Sequence, residues 1–140
     1  MKILLAADGS KFTKKALAFL MANDSFCSDT DELLVLHVQA PISPRVKTML
    51  GAGVVRDYHV DEAQKVLAPI EKFLARHAVK FKTKWVVGSP ADEVLAAVKR
   101  EKSQMVVMGT HGHGVVSRAL LGSVAQRVVT GADVPVLLVK

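Results

Sequence analysis

The sequence predicts an α/β fold: a three-layer, open, five-stranded parallel sheet in the strand order 3-2-1-4-5, with helices on both faces. Short, nearly continuous apolar runs alternate with segments whose apolar residues recur at spacings of three and four, the pattern of buried parallel strands joined by crossover helices. Two turns far apart in the chain, one at Asp8 after the first run and one a glycine loop at Gly109 after the fourth, become neighbours only if strands one and four are adjacent. The 140 residues are expected to form one domain over 1–140 that buries roughly two thirds of the surface of its unfolded chain.

Residues 2–7 alternate too little for a half-exposed strand and predict a central one covered on both faces. Asp8-Gly9-Ser10 breaks it, and Ser10 is expected to N-cap a helix running to about Ala22, with Ala16, Leu17 and Leu20 buried. The second strand covers residues 31–38, where His37 reads as a satisfied strand-end histidine more readily than as a catalytic one. Residues 39–59 carry Pro41, Pro44, Gly51 and Gly53 and predict a long loop with one helical turn around Arg45 to Leu50, of the kind that serves as a lid. A helix follows with Val60, Ala63, Val66, Leu67, Ile70, Phe73 and Leu74 on its stripe, and Pro69 is expected to kink it.

Residues 79–87 do alternate: Lys80, Lys82 and Lys84 face one way and Phe81, Thr83, Trp85 and Val87 the other, as on a charged edge strand with Trp85 in the core. Ser89 as N-cap, Pro90 at the first helical position and Asp92 and Glu93 near the positive dipole end open the next helix, with Val94, Leu95 and Val98 inward. Met105-Val106-Val107-Met108 is the fourth strand. Beyond the glycine loop a helix from Ser123 to about Thr130 is closed by Gly131 as C-cap, and residues 134–139 form the fifth strand. That strand is unusually apolar for an edge, so it is expected to pair with its own copy across a two-fold axis.

Half of the residues are apolar, which excludes wholesale disorder. No run approaches the roughly 18 apolar residues of a membrane span, and Ile3 to Ala7 is too short for the core of a secretory signal. A cytoplasmic protein with no membrane partner is therefore expected. The single Cys27 cannot form an intrachain disulfide, in agreement with a reducing compartment; it reads as a small residue near the end of the first helix. A formal charge of +6 raises the question of acidic partners. The lysines are scattered, however, without aromatic interleaving, and favour a solvated surface over a nucleic-acid site.

The chemistry concentrates in Gly109-Thr110-His111-Gly112-His113-Gly114 and the later pair Gly122-Ser123. Glycines permit positive φ and close approach of a ligand, and a helix starting near Ser123 offers unpaired N–H groups and a positive dipole end, a site for phosphate. It is not a P-loop, since no lysine occurs between Gly109 and Ser123, nor the dinucleotide fingerprint, whose spacing and first-strand position differ. A phosphoacceptor receiver domain fails as well: Asp8 stands without a paired acid, and Gly88 ends the third strand. His111 and His113 lack a third ligand and do not make a metal site.

Gly109, two residues, Gly112, nine residues, Gly122-Ser123, taken with Asp8, resembles the nucleotide-binding branch of the universal stress protein family, and the resemblance covers the whole chain. It implies ATP or another adenine nucleotide with Mg²⁺ on the phosphates, Asp8 on the nucleoside and the backbone of Val38 facing the base. The matching positions Ala6, Met108, Gly109, Gly112, Gly122, Ser123 and Val124 complete the implied cofactor-binding set. It also implies a homodimer through residues 134–139 and a stress-response role in nucleotide-dependent regulation.

Arg118 lies in the spacer and is as easily an exposed arginine as a phosphate partner. No general base is evident beside Asp8, Thr110, His111 and His113, so a binder with at most slow ATP hydrolysis is expected, with no catalytic residues assigned. The alternatives are a phosphotransferase or nucleotide hydrolase, and a ligand-free interaction module of the same fold. Against the last, Gly112 and Gly122-Ser123 would have no purpose without phosphate.

Overall fold

Leu4 of β1 (Lys2–Ala6) stands opposite Leu34 of β2 (Glu32–Gln39) on one side and Val106 of β4 (Met105–Gly109) on the other. The computed structural model describes residues 1–114 and 120–140. With β3 (Lys80–Val87) beyond β2 and β5 (Val136–Val139) beyond β4, the order is β3-β2-β1-β4-β5, all pairs parallel. The predicted architecture is present.

Successive side chains of a strand point to opposite faces, so a sheet buried on both sides needs apolar residues at every position. Ile3, Leu5, Leu33, Val35, Met105 and Val107 pack beneath α1 (Lys11–Ala22) and α3 (Ala52–Leu74), which contribute Ala16, Leu17, Leu20, Leu67, Ile70 and Leu74. Leu4, Leu36, Val106 and Met108 pack beneath α4 (Pro90–Glu101) and α5 (Ser123–Gly131), which contribute Ala91, Val94, Ala97, Val98, Ala125 and Val128. Each fully buried Leu or Val contributes about 1.5–3 kcal/mol over the exposed state.

The helical turn expected around Arg45 to Leu50 is present, while residues 52–59, expected as loop, open α3 (Ala52–Leu74) instead. Ser43 caps α2 (Pro44–Leu50) by accepting from Val46 N–H at 3.4 Å, and Pro44 takes the first helical position. Gly51, at φ 83°, ends α2 and starts α3: its N–H donates to Lys47 O at 2.9 Å and its carbonyl accepts from Val55 N–H at 3.2 Å. Buried Val55 and His59 then anchor the early turns of α3, and the helix continues through Pro69. Gln39 fastens this end of α3 to β2, donating to His59 O at 2.7 Å and accepting from His59 Nδ1 at 2.8 Å.

Several local expectations change with packing. Trp85 is not core: on the edge strand β3 it is 36% exposed and stacks on His59 of α3 at 6.4 Å between ring centres. Ser10 and Ser89 occupy the N-cap positions of α1 and α4, but neither side chain caps. Gly131 lies inside α5, whose C-cap is Ala132; an added Cβ at Gly131 would stand 2.7 Å from Leu95 Cδ1. Cys27 lies beyond the end of α1, buried in the core. Among the described residues no helix is long and apolar enough to cross a membrane.

Candidate functional site

β1 stops at Ala6 while β2 runs on to Gln39, and the last link between them is Ala7 N–H to Leu36 O at 2.9 Å. Alternate residues of a strand turn their peptide groups to the same side. Val38 therefore aims its N–H and carbonyl, as Leu36 does, toward β1, which has already turned away at Asp8. His37, whose peptide faces the other side, satisfies its ring by donating from Nδ1 to Ala7 O at 2.9 Å, as a structural histidine.

A cavity of about 310 Å³ opens at this point, at the carboxyl ends of β1 and β4 where the chain order reverses. All nine residues of the expected cofactor-binding set line it: Ala6, Asp8, Val38, Met108, Gly109, Gly112, Gly122, Ser123 and Val124. Its apolar lining includes Leu36, Val38, Val94 and Met108. The glycine loop and the first residues of α5 line it as well. There the first intrahelical bond is Gln126 N–H to Gly122 O at 2.9 Å, so the N–H groups of Ser123, Val124 and Ala125 have no partner within the helix. Arg118 falls outside the described residues.

Asp8 lines the cavity too. Its Oδ1 accepts from Ser10 N–H and from Thr13 Oγ1, both at 2.9 Å, while Thr13 Oγ1 in turn accepts from Asp8 N–H at 3.1 Å. Burial pushes the Asp8 carboxyl up; the Ser10 hydroxyl and N–H, Thr13 and the charge of His113 outweigh it and hold the group below its ordinary range. The Ser10 hydroxyl is buried and makes no hydrogen bond among the described residues. His113 Nε2 donates to Asp8 O at 2.6 Å, so the glycine loop is tied directly to the turn after β1.

The glycines need correction. None of Gly109, Gly112 and Gly122 has positive φ, and each has a reason inside the protein to lack a side chain. A Cβ on Gly109 would overlap Phe12 Cβ on α1; one on Gly112 would stand 2.5 Å from Asp8 Oδ2; one on Gly122 would sit 3.3 Å from His111 Cα and from Thr110 O. The argument that these glycines would have no purpose without phosphate therefore fails. They are where α1, the Asp8 turn and the glycine loop approach most closely.

Thr13, Pro90 and Val94 line the cavity although the sequence did not single them out as site residues. A signal for Thr13 was available: a hydroxyl five residues after Asp8, in the first turn of the following helix, can reach back to it. Among the described residues no group of three or more His, Cys, Asp or Glu gathers as a metal site.

The pattern described as Universal stress protein family matches this chain over residues 1–140. Universal stress protein MJ0531 of Methanocaldococcus jannaschii is 40% identical over 99% of this chain and 81% of its own length. The solved structure of MJ0577 from the same organism superposes with a TM-score of 0.85 at 30% identity, covering 99% of this chain and 94% of that one. A universal stress protein family protein from Arabidopsis thaliana, solved with AMP bound, superposes with a TM-score of 0.72, covering 100% and 91% of the two chains; at 19% identity that likeness shows the fold alone.

Proposed function

The chain belongs to the universal stress protein family, and from that premise we propose that it is a stress-response protein that binds ATP or another adenine nucleotide and acts as a nucleotide-dependent regulatory dimer in the cytoplasm. The observation that carries the reading is the make-up of this cavity: apolar side chains, the Asp8 carboxylate and helix-start N–H groups in one lining. Those three environments suit a base, a ribose and a phosphate chain. The peptide of Val38, an adjacent donor and acceptor, can pair with the N1 and amino group on the outer edge of adenine.

Asp8 Oδ2 is the oxygen left for a ribose hydroxyl, since Oδ1 is committed to Ser10 and Thr13. The backbone of Gly112 to Gly114 and the N–H groups of Ser123 to Ala125 would hold phosphates. Mg²⁺ would travel on the phosphate oxygens, because Asp8 is the only acidic residue among the described residues lining the cavity. With that carboxylate tied to its own turn, the described lining favours a binder with at most slow hydrolysis over a phosphotransferase. A ligand-free interaction module remains the second reading, because the glycines have internal reasons of their own.

One experiment separates the two: native mass spectrometry of the purified protein followed by calorimetric titration with Mg²⁺·ATP, ADP and AMP. A bound adenine nucleotide or saturable heat is expected. Protein that carries no nucleotide and gives no heat up to about 1 mM ligand, which corresponds to only about 4 kcal/mol, removes the nucleotide reading. The dimer rests on β5, a short edge strand of half-buried Val136, Leu137, Leu138 and Val139 paired only with β4. Sedimentation is expected to give a dimer that Leu137→Lys dissociates; a wild-type monomer at micromolar concentration ends that part.

A further inference from the structure

Thr13 is the residue on which the arrangement of the Asp8 turn depends. Its hydroxyl works in both directions on one residue, donating to Asp8 Oδ1 at 2.9 Å and accepting from Asp8 N–H at 3.1 Å, and it is itself buried, at 3% exposure. Together with Ser10 N–H, this fixes Oδ1 against the start of α1. The other oxygen, Oδ2, is left beside Gly112, where the space a Cβ would fill is 2.5 Å away, and both Asp8 and Thr13 line the cavity.

We propose that Thr13 is a positioning residue for the nucleotide site: its hydroxyl locks the rotamer of Asp8 so that a single oxygen, Oδ2, is presented to the ligand as a charged acceptor. The inference rests on the nucleotide reading for its functional part and on geometry alone for the lock. A free aspartate at a loop would sample several rotamers and would lose that freedom on binding; the Thr13 bridge removes the loss in advance, which raises affinity without a contact to the ligand. It also favours the ionised carboxylate, since a hydroxyl donor stabilises the charged form. The charged neighbour that faces Asp8 is His113, across the turn, and its effect runs in the same direction.

The test compares wild type, Thr13→Val, Thr13→Ser and Asp8→Ala. Valine keeps the shape and removes the hydroxyl; serine restores it. The Asp8 carboxyl is titrated by NMR in each protein, and Mg²⁺·ATP affinity is measured by calorimetry. Thr13→Val is expected to move the Asp8 titration to higher pH and to weaken ATP binding about fivefold or more, the cost of immobilising on binding a side chain that the bridge had already fixed. Thr13→Ser is expected to stay within about twofold of wild type, and the melting temperatures show whether folding is retained. A role in helix packing alone would be served equally by valine and would leave the Asp8 titration where it was.

If Thr13→Val matches wild type in both the titration and ATP affinity while Asp8→Ala loses binding, the inference is overturned. If wild type itself binds no nucleotide, the functional reading fails on its own account. The Asp8 titration then still decides the lock: an upward move in Thr13→Val upholds it, and an unmoved titration refutes it.

Discussion

Gly109→Ala is expected to cost about 3 kcal/mol of stability. Gly109 ends β4 against the first turn of α1, and an added methyl group would overlap Phe12 Cβ and approach Phe12 C at 3.3 Å. These are atoms on and next to the main chain, so no side-chain rotation relieves the contact: either α1 moves off the sheet or β4 shifts. Moving α1 would loosen Leu17 and Leu20 from Leu5 and Val107, whereas shifting β4 would strain its pairing with β1. Overpacking of well-filled interiors costs about 1–3 kcal/mol and sometimes more, and a backbone contact belongs at the upper end. Urea unfolding is the measurement, with the midpoint falling and the slope unchanged. Gly53→Ala is the control, since nothing lies within 4 Å of its added Cβ. Equal behaviour of the two variants would mean that α1 does not press on Gly109.

Gly112→Ala should behave differently, losing ligand affinity rather than stability. Its Cβ would stand 2.5 Å from Asp8 Oδ2, on a carboxylate that cannot simply swing away because Oδ1 is held by Ser10 and Thr13. Either the glycine loop lifts or the carboxylate leaves the cavity, and both remove the acceptor assigned to the ribose. A tenfold or greater loss of Mg²⁺·ATP affinity is expected, about 1.4 kcal/mol, with unfolding midpoints close to wild type. A double-mutant cycle sharpens the claim. If Gly112→Ala acts through the carboxylate, then in an Asp8→Ala background it has nothing left to displace and should add little. Additive losses would place the effect of Gly112 elsewhere in the site.

These two glycines show why part of the site was visible in the sequence and part was not. Asp8, Gly112 and Ser123 stand at strand-to-helix breaks, where residue types are unusual enough to be noticed one by one. Thr13 is one hydroxyl on a helix of ordinary composition, and its importance appears only when its distance to Asp8 is known. Within 39–59 the short helix around Arg45 to Leu50 was legible, but the early turns of α3 were not, because Gly51 and Gly53 resemble the punctuation of a loop; the buried anchors Val55 and His59 decided for helix. Trp85 was misplaced for a related reason. Alternation along β3 fixes which face a residue shares, but not how much of a residue on an edge strand its neighbours cover.

Apolar runs interrupted by polar turns were enough, without coordinates, to predict a five-strand parallel sheet with right-handed crossovers, and its order followed once the Asp8 turn and the glycine loop were required to meet, because only adjacent strands one and four bring those two turns together. Only the tertiary structure decided why the glycines are bare. Which atoms crowd a missing Cβ is a matter of distances between segments a hundred residues apart, and nothing in the local pattern distinguishes room left for a ligand from room taken by Phe12 or by Asp8.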